Sequence, residues 1–299
     1  MNDSSTRALP LQSPPQRLLL ATDLCARCDR PLDRAKQLAR EWQTELAVLT
    51  VRDGPQTPEE VASWLDGSPA VHRFELAARR ELAEEFAGTG VAPTLQVLEG
   101  EVTDSILGAA RGLPDALVVM GASRDGSFEQ LLLGSTAERL AQELAQPLLV
   151  VRQRTRGSYE RIVVASDFSE AARQALDTAL RLFPGRRITL LHVLEGSAGA
   201  PGDTLAVAVE EGMARSASFL DDCALPPEAR ALLLPAIVQG RVAEAVARYA
   251  LDNSTQLVVF GVRPRSGITR VFMGSRGDDL LRQLACDTLL VREEGGADG

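Results

Sequence analysis

Two stretches of this chain, 144 residues apart, read almost alike: Arg17-Leu-Leu-Leu-Ala-Thr-Asp23 and Arg161-Ile-Val-Val-Ala-Ser-Asp167 are short apolar runs that close on a carboxylate. Further pairs follow in the same order. Gly100-Glu-Val102 matches Gly240-Arg-Val242, Leu117-Val-Val-Met-Gly121 matches Leu257-Val-Val-Phe-Gly261, Gly134-Ser135 matches Gly274-Ser275, and Leu149-Val-Val-Arg152 matches Leu289-Leu-Val-Arg292. Five anchors recurring at offsets of 140 to 144 residues leave little freedom. Whatever one copy folds into, the other folds into as well.

Within each copy the apolar runs are short, rich in β-branched residues and unbroken, the pattern of strands buried on both faces of a parallel sheet. They predict strands over 18–22, 45–51, 94–98, 116–120 and 148–151, then over 162–166, 188–193, 233–238, 257–260 and 288–291. Helical periodicity fills the intervals at 31–41, 73–86, 103–111 and 136–143, then at 170–182, 206–221, 243–250 and 276–284. Regular alternation of this kind implies βαβ crossovers and an α/β fold of two tandem, open, five-stranded parallel sheets with helices on both faces. The polar segment Gln153-Arg-Thr-Arg-Gly-Ser-Tyr159 reads as the linker. The expected domains are therefore 1–153, ordered from about residue 16, and 159–299.

Composition narrows the function. A formal net charge of −9 and an aromatic content of 4% argue against a nucleic-acid partner, which calls for a basic stripe or stacking platforms. Lys36 is the single lysine, and it lies in a helical pattern with no glycine-rich loop before it, so a P-loop is excluded. Residues 1–16 lack the positive-then-apolar pattern of a secretory signal, and no apolar run approaches the roughly 18–20 residues of a membrane span. Four cysteines are too few for a disulfide framework in a chain this long, so a reducing cytoplasm is the expected compartment. Cys25 and Cys28 form a CxxC that reads as structural, with a redox pair or half a zinc site as the alternative; Cys223 and Cys286 stand alone and complete no four-ligand set.

In an open α/β sheet, ligands bind beyond the carboxyl ends of the strands where the strand order reverses. That directs attention to the loops after the first and fourth strands of each copy. The first loops begin at Asp23 and Asp167; the fourth run from Gly121 to Gly134-Ser135 and from Gly261 to Gly274-Ser275. At these residues the chain resembles the universal stress protein family in its tandem two-domain form, and the resemblance covers nearly its whole length. Nucleotide-binding members of that family carry G-x2-G-x9-G-[ST] after the fourth strand and an aspartate ending the first. Gly121 and Gly134-Ser135 hold the outer positions of that motif, as do Gly261 and Gly274-Ser275. Arg124 and Pro264 replace its middle glycine. Arginine can clamp phosphate oxygens through its guanidinium, whereas proline offers no N–H. Arg263, Arg265, Arg270 and Arg276 make the second loop basic.

The resemblance implies an adenine nucleotide alpha hydrolase-like fold and two copies paired through their fifth strands as an intrachain pseudo-dimer, with a homodimer as a further option. It implies a stress-response regulatory module binding ATP or another adenine nucleotide at Asp23, Gly121, Arg124, Gly134 and Ser135, or at Asp167, Gly261, Arg263, Gly274 and Ser275. No metal is expected beyond a magnesium carried by the nucleotide. The alternative is a scaffold for unidentified protein partners whose sites are degenerate, with glycines that merely make tight strand-to-helix turns and aspartates that cap the following helices. Asp33 and Asp177 read as solvated helix positions.

Catalysis has few candidates. Gly121-Ala-Ser123-Arg-Asp125 fails the GxSxG elbow at its last position, and only His72 and His192 exist to serve as bases. Neither has a partner pattern, and His192, near the end of a strand, reads as a satisfied structural histidine. At most a slow ATPase remains. Residues 54–68, with Trp64, differ in composition from their counterpart and are where partner specificity would diverge.

Overall fold

The computed structural model describes residues 14–24, 29–52, 69–122, 135–195, 202–263 and 275–293. The chain divides into two compact units, Pro15–Ser158 and Tyr159–Gly299. The first contains β1 (Arg17–Ala21), α1 (Asp29–Trp42), β2 (Glu45–Arg52), α2 (Pro69–Glu85), β3 (Thr94–Glu99), α3 (Val102–Arg111), β4 (Ala116–Gly121), α4 (Ser135–Glu143) and β5 (Leu148–Val151). The second contains β6 (Ile162–Ala165), α5 (Glu170–Leu182), β7 (Ile188–Leu194), α6 (Gly202–Asp222), a single turn α7 (Pro227–Arg230), β8 (Leu233–Gln239), α8 (Val242–Asp252), β9 (Leu257–Val262), α9 (Ser275–Gln283) and β10 (Asp287–Arg292). Among the described elements, only α7 has no counterpart in the predicted ones.

Strand order in the first unit is β3-β2-β1-β4-β5, and the same order, β8-β7-β6-β9-β10, recurs in the second. The pairings are parallel: Leu19 lies between Ala47 and Val118, and Val163 between Thr189 and Val258. Order therefore reverses between β1 and β4, and between β6 and β9. Leu18, Leu19 and Leu20 are all fully buried, as are Val258 and Val259. Consecutive buried residues on a pleated strand require cover on both faces.

The outer strands depart from that expectation. Exposed and half-buried residues alternate along most of β3, and Leu98 and Leu234 are exposed. Each strand pairs on one side only among the described residues, with β2 and with β7. Pro235 sits in β8, where a missing N–H costs no ladder bond on the open side.

The repeat anchors at Gly100 and Gly240 have a backbone cause. Their φ angles are +131° and +139°, a region closed to most L side chains, and each turns a strand into a helix. At the junction, Arg34 Nη1 donates to Gly157 O at 2.8 Å and Arg30 Nη1 to Arg152 O at 2.6 Å, so residues 152–157 are bound to α1. Tyr159, read as the end of a polar linker, is instead core: its ring meets Phe183 edge-on at 5.5 Å and its hydroxyl donates to buried Asp287 at 2.6 Å. A tyrosine that closes an otherwise polar run can be claimed by the core of the next unit, because its ring gains more from burial than its hydroxyl loses once bonded.

Candidate functional site

The carboxylates at the ends of β1 and β6 are presented by the same local structure. Thr22 N donates to Leu49 O at 3.0 Å and Ser166 N to Leu191 O at 2.9 Å, extending each ladder by one residue. The hydroxyl of the same residue then accepts from the amide two positions on: Leu24 N to Thr22 Oγ1 and Phe168 N to Ser166 Oγ, both at 3.0 Å. Leu24 and Phe168 adopt φ of 54° and 65°, uncommon for non-glycine residues. This double turn leaves Asp23 and Asp167 exposed at the strand ends. Asp167 does not cap α5, because Ser169 does so by accepting from Ala172 N at 3.3 Å. Asp167 Oδ1 accepts from Ser169 N at 3.0 Å, which fixes its carboxylate.

The fourth strands bring their glycines beside these turns. Gly121 ends β4, where an added Cβ would lie 3.2 Å from Pro31 Cγ. Gly261 is tighter: a Cβ there would fall 2.1 Å from the Ala171 carbonyl oxygen and 2.4 Å from its carbon. Both glycines thus admit the first helix of their unit. Past Gly261, Arg263 turns back toward Asp167, with Nη2 3.4 Å from Oδ2, and its Nε lies 3.7 Å from Glu293 Oε2. The structure therefore joins Asp167, Gly261 and Arg263 at one strand end, and Asp23 with Gly121 at the other. Arg124, Gly134 and Gly274 lie outside the described residues, as do Cys25, Cys28 and Trp64; Ser135 and Ser275 open α4 and α9.

Several residues around the second site were not singled out from sequence. Glu293 is one; its only sequence signal is a charge where the first copy has Gln153. Phe168 is another. Its ring lies 4.4 Å from His192 and 5.6 Å from Phe219, with the Arg215 guanidinium 4.9 Å above it. His192 is half-buried and its Nδ1 pairs with Ser166 O at 2.9 Å, which makes it a structural histidine behind the aspartate turn. Asp33 is exposed, but Asp177 is half-buried on α5, where burial raises its pKa. That corrects its reading as a solvated position. Cys223 is buried as well, and desolvation followed by the nearby Asp177 charge pushes its thiol up to about 11. No group of three or more His, Cys, Asp or Glu side chains suited to a metal occurs among the described residues.

Known proteins settle the family. The universal stress protein family model matches residues 15–152 and again 158–292. This chain belongs to that family. Universal stress protein YxiE of Bacillus subtilis is 27% identical over 147 residues, covering 46% of this chain and 98% of the relative, so one unit corresponds to nearly all of it. A universal stress protein of Methanocaldococcus jannaschii is 29% identical over 141 residues, covering 42% of this chain and 76% of its own. The crystal structure of a universal stress protein from Archaeoglobus fulgidus matches the fold with a TM-score of 0.67 at 18% identity, covering 93% of this chain and 99% of the other. No helix among the described residues is long and apolar enough to cross a membrane.

Proposed function

We propose that this universal stress protein is a cytoplasmic, stress-responsive regulatory module that takes an adenine nucleotide at the carboxyl ends of the strands in one or both units. One observation carries the reading: the two copies build the same double turn and use it to hold an exposed carboxylate at the reversal of strand order. A carboxylate so placed accepts ribose hydroxyls or an adenine amine, and the helix that starts at Ser135 or Ser275 offers N–H groups and a positive dipole end to phosphate. Arg124, Gly134 and Gly274 complete the proposed set, with magnesium arriving on the nucleotide. The module acts through occupancy, passed to protein partners; turnover is at most a slow ATPase. Pairing of the fifth strands within the chain, or between two chains, belongs to the same proposal, and a homodimer is read from the mass in solution.

The competing reading is a scaffold with degenerate sites. It is favoured by Gly261, which the approach of Ala171 demands with no ligand present. Denaturing the purified protein and identifying any released nucleotide by ultraviolet absorbance and mass separates the two. A ligand at a hundred times its Kd adds about 2.7 kcal/mol to stability. Millimolar ATP should therefore raise the Tm by several degrees, and the Asp23→Ala, Asp167→Ala double variant should lose that shift. No released nucleotide and an unmoved Tm would establish the scaffold instead.

A further inference from the structure

The strand end of the second unit carries an ion cluster of Asp167, Arg263 and Glu293, whereas the first unit keeps only the carboxylate, Asp23, with uncharged residues at the other two positions. Arg263 reaches two carboxylates that different elements supply, one on the turn after β6 and one at the end of β10. Asp167 is held through Oδ1 by Ser169 N at 3.0 Å and turns Oδ2 toward Arg263 Nη2 at 3.4 Å. Glu293 is held through its backbone: its N–H continues the β9–β10 ladder to Val262 O at 2.8 Å, and its Oε2 lies 3.7 Å from Arg263 Nε. The two contacts engage two different nitrogens of one guanidinium. At the corresponding places of the repeat, 140 residues earlier, stand Ser123 and Gln153.

We infer that Asp167, Arg263 and Glu293 form a charge filter, so that the second unit takes an uncharged adenine nucleoside in preference to ATP. The inference rests on the proposal that these strand ends bind adenine ligands. A polyphosphate reaching this edge meets two carboxylates, and to gain Arg263 it must draw the guanidinium away from both. A nucleoside asks for neither. An ionised carboxylate has about four acceptor sites, and Asp167 commits one to Ser169 and one to Arg263, which leaves capacity for a ribose hydroxyl. Glu293 is the selecting residue: it engages Arg263 through Nε and adds negative charge beside the guanidinium that a phosphate would have to recruit.

The test uses the full chain carrying Asp23→Ala, which removes the first unit's carboxylate, with adenosine and ATP titrated calorimetrically at low ionic strength. Adenosine should bind more tightly than ATP. Adding Glu293→Gln should raise the ratio of ATP to adenosine affinity by about two- to fivefold, the range for an exposed charge pair. Glu293→Asp, which retains the charge, should restore the ratio toward that of the parent. Tighter ATP binding in the parent, or a ratio that Glu293→Gln leaves unmoved while adenosine still binds, overturns the filter alone. Binding of neither ligand to this variant overturns the nucleotide reading for the second unit, and the filter with it.

Discussion

Replacing Gly261 by alanine distinguishes a glycine kept for packing from one kept for a ligand. The added Cβ would sit 2.1 Å from the Ala171 carbonyl oxygen and 2.8 Å from the Ala171 Cβ. A relaxed carbon-to-carbonyl contact is about 3.3–3.6 Å, so β9 and α5 must separate by roughly 1 Å or more. Backbone shifts of that kind cost about 3 kcal/mol, the upper end of the usual range for overpacking. The matching change at Gly121 meets the ring edge of Pro31 at 3.2 Å, which a few tenths of an ångström relieves. Alanine there also restricts the unfolded chain, a gain of about 0.4–1 kcal/mol that offsets most of the strain. The two variants should therefore differ by on the order of 2–3 kcal/mol. Urea melts suit the comparison because Trp42 and Trp64 report the first unit, while Tyr159 and Tyr249 report the second. With m near 2 kcal/mol per molar urea, the midpoint of Gly261→Ala should fall by about 1–1.5 M in the tyrosine signal, with Gly121→Ala close to the parent. Equal losses at the two positions, or a neutral Gly261→Ala, would refute the packing argument.

Three further outcomes are expected. Tyr159→Phe removes the phenol that donates to buried Asp287 and should cost about 1–3 kcal/mol in a denaturant melt; a loss below about 0.5 kcal/mol would show the bond to be dispensable. Burial raises the Asp177 carboxyl above its ordinary 3.8, so the folded state binds that proton more tightly, and this contribution to stability is lost as pH rises through the folded-state value. Asp177→Asn should therefore stabilise the protein at pH 7, with the gain fading below about pH 4; a gain independent of pH would exclude desolvation as its cause. Cys223, with its thiol held near 11, should resist a disulfide reagent at neutral pH until the second unit unfolds, and rapid labelling at Cys223 by peptide mass would contradict its burial.

The repeat made the architecture legible before any coordinates, because each strand was read twice and two copies of one fold must share one topology. Runs such as Leu18-Leu19-Leu20 and Val258-Val259 carry the signature of doubly covered strands, and the predicted strand ends fall within a residue or two of the observed ones, whereas α2 and α6 each begin four residues before their expected starts. β3 and β8 show what that signature omits. Apolar content alone does not distinguish a central strand from an outer one, and Pro235 was the available clue. At the candidate site, the sequence pointed to Asp23 and Asp167 through strand-end position, and the turns that present them confirm a shared geometry. The Arg263–Glu293 contact was not legible, since it joins residues 30 apart across neighbouring strand ends and follows from register alone. Nor was the reason for Gly261, because the distance between a strand and a helix leaves no periodic trace in the sequence. Tyr159 was misread for a similar cause: its neighbours are polar, and its partners lie at Phe183 and Asp287.

Lys36 stands on α1 with its Nζ 2.6 Å from Glu85 and 3.5 Å from Asp33, and 5.2 Å from the centre of the Phe86 ring. It is the chain's one lysine side chain. Enzymes that acetylate or ubiquitinate lysine have a single side chain to act on, already engaged at the end of α2, and its neutralisation would loosen α2 from α1. Amine-reactive cross-linkers find one lysine besides the α-amino group, so mapping the partners of this protein calls for chemistry directed at carboxylates or arginine.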